Sequence, residues 1–378
     1  MYGLVFAGGG AKGAYQIGVW KALSELDIKI GLSVGTSVGA LNGALYAQKE
    51  FELAKDLWLN MSMESVFVGD PEFLEGLTKT FNKKILKNDI SFYKKLYSYI
   101  YNNKGLDITP LRQNIQRILN EDKLRNSGID FGFVTYSIND RKPLKLFVNE
   151  IATGEVKYYL LGSALVPGFA QDKDFPVKFI DGGIHDRFPI QMAIDKGYKN
   201  IIAVETGNKK RKKYENANIT YIVPSGDTGN FLIFDKKTSE KNMEMGYLDG
   251  LKTFKKVYGL KYFFTEDYSE NKILRNLMKI SSPRLEKLFL KTSSLTNMTL
   301  KSLLEKDLPY LVKKLSLAKY NTYKETVFSL LEYMLDYNAV ERLKLYSIEE
   351  ALQLVTVSYE EGSIEKTVLS FLDVVLIN

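Results

Sequence analysis

Gly35-Thr36-Ser37-Val38-Gly39 forms a G-x-S-x-G run. It follows the apolar Ile28, Ile30, Leu32 and Val34 and precedes the helical pattern of Ala40, Leu41, Ala44 and Leu45. A serine on a sharp strand-to-helix turn is held exposed, and the small flanking Gly35 and Gly39 leave its hydroxyl uncrowded. The first amides of the helix that follows place partial positive charge near that oxygen, which favours an alkoxide-like nucleophile. Upstream, Gly8-Gly9-Gly10-Ala11-Lys12-Gly13 makes a second glycine loop between the apolar Leu4, Val5, Phe6 and Ala7 and another helical pattern. On consecutive strands the two loops would lie side by side at one edge of a parallel sheet, the layout of an active site.

Gly8, Gly10 and Gly13 also satisfy G-x-G-x-x-G, so a dinucleotide fold has to be weighed. Such a fold needs an acidic residue at the end of the second strand to hold a ribose. Val34-Gly35-Thr36-Ser37 stands there instead, and Glu25 and Asp27 lie at the wrong end. A P-loop fails as well, because Lys12 is followed by Gly13 and Ala14 and no Ser or Thr is placed for magnesium. The remaining use of the loop is an oxyanion hole, in which uncrowded N–H groups point at a developing negative oxygen. Lys12 either adds positive potential there or is a solvated first-turn lysine.

A serine nucleophile needs a base. His185 is the one histidine, and it follows Asp181 by four residues on the same tight loop, so one loop would have to supply both the base and its orienting carboxylate. The simpler arrangement is a Ser-Asp dyad in which Asp181 takes the Ser37 proton directly. An ordinary aspartate is a weak base at neutral pH, so partial burial and the oxyanion hole would have to compensate. Gly182 and Gly183 after Asp181 permit a sharp turn and close approach.

These residues must be carried by alternating strands and helices. Residues 2 to 48 read β-loop-α-β-turn-α, with a first helix over about Ala14 to Leu26 and a second pattern from Val38 to Leu59. Strands are expected at Ile129 to Ile138, Leu144 to Val148, Val177 to Ile180, Ile201 to Val204 and Ile219 to Val223. Helices are expected at Val156 to Ala164 and Ile190 to Lys196. This alternation predicts an α/β fold with a mostly parallel sheet covered on both faces. Past Tyr268 the strand signals fade and helical patterns take over, including Leu285-Leu288-Phe289, Val327-Leu330-Leu331-Met334 and a Ser347/Glu350 capping box. The expected division is therefore residues 1–267 as the chemical domain and 268–378 as a helical C-terminal region.

Composition narrows the class further. The 378 residues are 45% hydrophobic and 26% charged, a globular balance, and the absence of cysteine excludes disulfides, thiolate zinc sites and a cysteine nucleophile. With a single histidine, multi-histidine metal sites are excluded too. A net charge of +7 spread over this length suits tolerance of anionic surfaces such as phospholipid more than nucleic-acid reading. Two features bear on membranes. Ile30 to Gln48 is uncharged with Gly31, Gly35, Gly39 and Gly43 at four-residue spacing, but Ser33, Thr36, Ser37 and Asn42 make it too polar for a span, so a buried strand-turn-helix is expected. Phe92-Tyr93, Leu96-Tyr97 and Ile100-Tyr101, interleaved with Lys94, Lys95 and Lys104, read as an amphipathic helix packed on the core; a basic-aromatic face at a lipid surface is the alternative. Lys209 to Lys213 reads as a solvated loop. With no signal-peptide pattern before Tyr2 and no transmembrane helix, a cytoplasmic location with peripheral membrane contact is expected.

Together the G-G-G-x-K-G loop, the G-x-S-x-G elbow at Ser37 and the Asp181-Gly182-Gly183 turn resemble the patatin-like phospholipase family. The likeness extends to Ser163-Ala164-Leu165-Val166-Pro167 and Gly246-Tyr247-Leu248-Asp249-Gly250, so it covers about residues 1 to 255. It implies a three-layer α/β/α fold and metal-independent, cofactor-free hydrolysis of lipid acyl esters, as by a phospholipase A or lysophospholipase. Carried across, Ser37 is the nucleophile within the elbow Gly35, Thr36, Val38 and Gly39, and Asp181 is the base. Gly9 and Gly10, with Gly8, Lys12 and Gly13 of the same loop, form the oxyanion hole. The implied partner is a lipid or phospholipid substrate, with no nucleic acid. Ile184-His185-Asp186-Arg187-Phe188-Pro189 lacks the asparagine common after this aspartate, a departure that touches substrate detail. Alternatives are an acyltransferase using the same dyad, or a non-catalytic lipid- or dinucleotide-binding protein in which Ser37 only caps a helix.

Overall fold

A computed structural model describes residues 1–81, 98, 100–102, 104–171, 175–207, 212–280, 299–318, 322–355, 360 and 363–376. The chain divides into two compact units, Met1–Thr253 and Phe254–Asn378. The first is built on a sheet of β1 (Tyr2–Phe6), β2 (Ile30–Thr36), β3 (Asp130–Ser137), β4 (Lys142–Phe147), β5 (Phe179–Asp181), β6 (Asn200–Val204) and β7 (Asn218–Ile222). The order is β4-β3-β2-β1-β6-β7, with β5 paired to β3 off that path. The β1–β2, β2–β3, β1–β6 and β6–β7 pairs are parallel. Only β4 and β5 run antiparallel, both against β3.

Side chains alternate across a strand, so one sheet carries two faces. Val5, Leu32, Val34, Val134, Ile201 and Ala203 point to one face and pack with Ile190, Met192 and Ala193 of the helix Ile190–Asp195. Phe131 and Phe133 point to the other, where they meet Ala40 and Ala44 of α2 (Val38–Ala47). Helices thus cover both faces of a mostly parallel sheet, the expected three-layer α/β/α arrangement. The uncharged stretch from Ile30 is β2 followed by α2. Among the described residues no helix is long and apolar enough to cross a membrane.

Ahead of α2, the first helix α1 (Ala14–Glu25) is bound to the glycine loop by buried polar side chains. Gln16 Nε2 donates to the Ala7 carbonyl at 2.7 Å, and Asn42 Nδ2 donates to Gln16 Oε1 and to the Gly13 carbonyl. Trp58 of α3 (Phe51–Leu59) donates through Nε1 to Asn42 Oδ1 at 2.9 Å. Buried amides are costly unless bonded, so this chain of bonds fixes three helices and the loop in one arrangement.

The single helix expected from Val38 to Leu59 is instead α2 and α3, with a break at Lys49. There Glu50 N donates to the Leu45 carbonyl and Lys49 N to the Tyr46 carbonyl, a Schellman closure with Lys49 at a φ of 60°. Glycine usually fills that left-handed position, which is why the break carries no sequence signal. The segment containing Phe92, Lys94, Lys95 and Tyr97, residues 208–211 of the basic loop, and Leu285-Leu288-Phe289 lie outside the described residues.

In the second unit, helices Glu270–Met278, Tyr323–Tyr337, Ile348–Leu354 and Ile364–Leu376 surround a core that includes Phe264, Phe328, Leu331 and Phe371. The capping box is present: Ser347 N donates to Glu350 Oε2 at 2.8 Å, and Glu350 N donates to Ser347 Oγ at 3.0 Å. Two features depart from the sequence reading. A short parallel pair, β8 (Phe263–Phe264) and β9 (Leu345–Tyr346), is present where no strand was expected. The expected division after residue 267 falls inside this unit, because Tyr262 and Phe264 belong to its core.

Within the first unit, the helix Lys236–Thr253 crosses α1 with backbone nearly touching backbone. A Cβ on Gly18 would overlap the Met243 carbonyl, and one on Gly246 would overlap the Tyr15 carbonyl. The crossing is pinned where Tyr15 donates through its hydroxyl to Asp249 Oδ2 at 3.1 Å. Because main chain cannot yield like a side chain, Gly246→Ala is expected to lower unfolding stability by about 1–3 kcal/mol in urea titration. A midpoint unchanged from wild type would contradict so close a crossing.

Candidate active site

The parallel pairing of β1 with β2 brings their C-terminal ends together, with Phe6 opposite Gly35. The glycine loop and the serine elbow therefore emerge side by side, at the end of the sheet where α/β folds place ligands. Ser37 sits at a φ of 57° and a ψ of −131°, a conformation that non-glycine residues rarely adopt. Three features hold it there. Ser37 N donates to Ser163 Oγ at 2.9 Å, and the same hydroxyl donates to the Val134 carbonyl of β3 at 2.6 Å. Ser37 O accepts from Ala40 N and Leu41 N as α2 begins. Gly35 and Gly39 approach so closely that a Cβ on Gly35 would overlap the Gly39 carbonyl, and one on Gly39 the Phe6 carbonyl. Thr36, buried next to the serine, donates through Oγ1 to the Asp186 carbonyl at 2.8 Å. Val38 is buried and packs among Trp58, Ile118 and their neighbours. Ser37 stands at the N-cap position, but its hydroxyl makes no capping bond.

Asp181 ends β5 and arrives at the elbow because β5 pairs with β3, placing Asp181 opposite Thr135. Its N–H donates to the Leu165 carbonyl at 2.7 Å. Gly183 N donates to Asp181 Oδ1 at 2.6 Å, and a Cβ on Gly182 would overlap the Val134 carbonyl, so both glycines of the turn are used. Ser37 and Asp181 are each 8% exposed. Burial pushes the Asp181 carboxyl above its ordinary value, and hydrogen bonding from the Ser37 hydroxyl and the Gly183 amide acts against that rise.

Both side chains line one cavity of about 460 Å³. Its wall includes Gly8, Gly9, Gly10 and Lys12, and its apolar side is made by Val166, Pro167, Ile184 and Phe231. Among the five loop residues expected to supply an oxyanion hole, the amides differ. Gly8 N donates to the Arg187 carbonyl at 2.8 Å and Lys12 N to the Gly9 carbonyl at 3.2 Å, so neither is directed at a ligand. Gly13 is off the cavity wall and buried, where a Cβ would press on Trp58 and Val38. Gly9 and Gly10 line the wall, and among the described residues their N–H groups have no acceptor. Gly10 takes a φ of 55°, and a Cβ there would overlap the Phe231 carbonyl, which accepts from Ala11 N.

His185 is elsewhere. It is exposed and lines a separate cavity of about 760 Å³ with Phe188, Tyr214 and Tyr221. Among the described residues no group of three His, Asp or Glu side chains is arranged to hold a metal. Sequence reasoning missed Ser163 as the partner of the serine amide, and it missed Arg187, Glu205 and Thr206, which surround Gly8. The departure from the familiar asparagine pattern at Asp186-Arg187-Phe188 was the one available signal.

Comparison with known proteins bears on the same stretch. The Patatin family model, described as patatin-like phospholipase, matches residues 4–194. Patatin-like phospholipase domain-containing protein 7 of Mus musculus is 24% identical over 206 residues, which is 54% of this chain and 14% of that protein. The Rattus norvegicus protein of the same name is 24% identical over 207 residues, with the same two shares. The chain thus spans only a small part of these curated relatives. Among solved structures, VipD from Legionella pneumophila covers 99% of this chain and 91% of its own, at 14% identity and a TM-score of 0.39, a likeness too loose to bear on the site. The family match takes in just over half of the chain and contains the glycine loop, the Ser37 elbow and the Asp181 turn, and on that match the chain belongs to the patatin-like phospholipase family.

Proposed function

We propose that the chain is a metal-independent lipid acyl hydrolase working through a Ser37–Asp181 dyad. The observation that carries this reading is the convergence on one cavity with an apolar wall of Ser37, Asp181 and two loop amides that have no acceptor among the described residues. Ser37 Oγ attacks the ester carbonyl carbon while Asp181 Oδ2 takes its proton, Oδ1 being held by Gly183. The carbonyl oxygen becomes an oxyanion facing the Gly9 and Gly10 amides. Collapse expels the alcohol, which receives the proton from Asp181 and leaves an acyl-Ser37 ester. Water then gives a proton to Asp181 and attacks that ester, and the proton returns to Ser37 as the fatty acid departs. A carboxyl raised by burial is a better base than a free aspartate. The helix-cap alternative loses support because the Ser37 hydroxyl makes no capping bond.

The cavity rim adds support for a lipid substrate. Ile184 is 57% exposed and Phe231 47% exposed, and both also line the cavity, so a lipid surface would cover apolar area at the entrance. In sedimentation with phosphatidylcholine vesicles, replacing both residues by glutamate is expected to cut bound protein severalfold. Equal pelleting of the double variant and wild type would refute contact through this rim.

A fluorophosphonate probe is expected to label wild type once, at Ser37, and to leave Ser37→Ala unlabelled. Asp181→Asn should lose at least about 10²-fold in kcat, whereas His185→Ala and treatment with EDTA should leave turnover intact. Labelling that persists in Ser37→Ala would defeat the reading. The acid limb of kcat/KM should belong to Asp181: activity is lost as pH falls and the carboxylate is protonated. Because the carboxyl is raised, that limb should lie above the pH of about 4 at which ordinary aspartates titrate. A limb at or below that pH would contradict a buried aspartate base.

A further inference from the structure

The backbone around Gly8 is gripped from several sides. Gly8 N donates to the Arg187 carbonyl at 2.8 Å. Gly8 O accepts from Arg187 Nη1 at 2.9 Å and from Thr206 Oγ1 at 2.9 Å. Arg187 Nη2 is in turn bonded to Glu205 Oε2 at 2.5 Å, and Glu205 Oε1 accepts from Thr206 N at 2.9 Å. Glu205 is 5% exposed, and its carboxylate anchors the Arg187 guanidinium and the Thr206 backbone. A Cβ on Gly9 would overlap the Thr206 side chain, which shows how closely the two segments are pressed together.

A peptide unit is planar and trans, so the Gly8 C=O and the Gly9 N–H belong to one rigid plane and point in opposite directions. Holding the carbonyl on one side therefore aims the Gly9 N–H to the other. The guanidinium also withdraws electron density through the carbonyl, making the N–H a stronger donor, as in chains of hydrogen bonds that polarise one another. We infer that Arg187 is a positioning residue for acyl transfer, fixing the direction and strength of the Gly9 oxyanion donor through the Gly8 carbonyl. Thr206 is the second holder of that carbonyl, and Glu205 anchors both. The inference rests on the acyl-serine reading above. Arg187 also ties this loop to the rest of the site: it follows Asp186, whose carbonyl accepts from Thr36 of the elbow, and the turn holding both begins at Asp181.

The test uses the full chain with Arg187→Met, Arg187→Lys, Thr206→Val and the Arg187→Met/Thr206→Val double variant. A fluorophosphonate counts reactive sites, and hydrolysis of a soluble p-nitrophenyl ester gives kcat per reactive site and KM. Removing a whole oxyanion donor costs about 10²–10³ in kcat; misaiming one should cost about 10–100-fold in Arg187→Met, with KM within twofold of wild type. Arg187→Lys should recover part of the loss. Thr206→Val should lose less, and the double variant less than the product of the two, since both act on one carbonyl. A purely structural role would reduce the number of reactive sites and leave kcat per site alone. That outcome overturns the inference, as does a KM raised more than tenfold at unchanged kcat, which would make Arg187 a substrate ligand. If Arg187→Met does not fold, unchanged kcat per site in both Arg187→Lys and Thr206→Val overturns it. Wild type that hydrolyses the ester without labelling at Ser37 overturns the acyl-serine reading, and the inference with it.

Discussion

The arrangement depends on one strained residue. Ser37 is held in a backbone conformation that costs on the order of 1–3 kcal/mol. The bond from its amide to Ser163, continued by Ser163 to the β3 carbonyl of Val134, returns about 1 kcal/mol per bond. The remainder comes from the packing of β2 against α2, which is possible because Gly35 and Gly39 lack side chains. The Ser37 hydroxyl makes no capping bond, and the residue stands at the positive end of the peptide dipoles of α2.

The rest of the first unit can be understood as scaffolding for that turn. Parallel pairing of β1 with β2 puts the glycine loop beside the serine, and the short antiparallel β5 returns Asp181 to the same sheet end. The buried Gln16–Asn42–Trp58 chain joins the helices that follow both loops. Residues 186 and 187 then hold the elbow through Thr36 and the loop through Gly8.

Much of this was legible in the sequence because motif and alternation are local properties. The turns at Ser37 and Asp181, the glycine loop and the positions of the main strands along the chain could be read from residue spacing and apolar periodicity. What was not legible depends on long-range pairing. Nothing near Ser163 shows that its hydroxyl meets the serine amide 126 positions earlier. Likewise nothing near Thr206 points to the Gly8 carbonyl. The bonds that take up the Gly8 and Lys12 amides were not legible either, because their acceptors are set by the fold. The missed break at Lys49 has a different origin: the left-handed closure there uses a lysine where glycine is the usual marker. The strands β8 and β9 are two residues each, too short for periodicity to register.

The central claim is that an acyl group passes through Ser37. Rapid-quench mass spectrometry of the protein mixed with a long-chain p-nitrophenyl ester tests it most directly. The account predicts a transient mass increase equal to one acyl group, mapped to the peptide that contains Ser37 and absent from Ser37→Ala. An acyl group mapped to another residue, or steady turnover by Ser37→Ala, would contradict it.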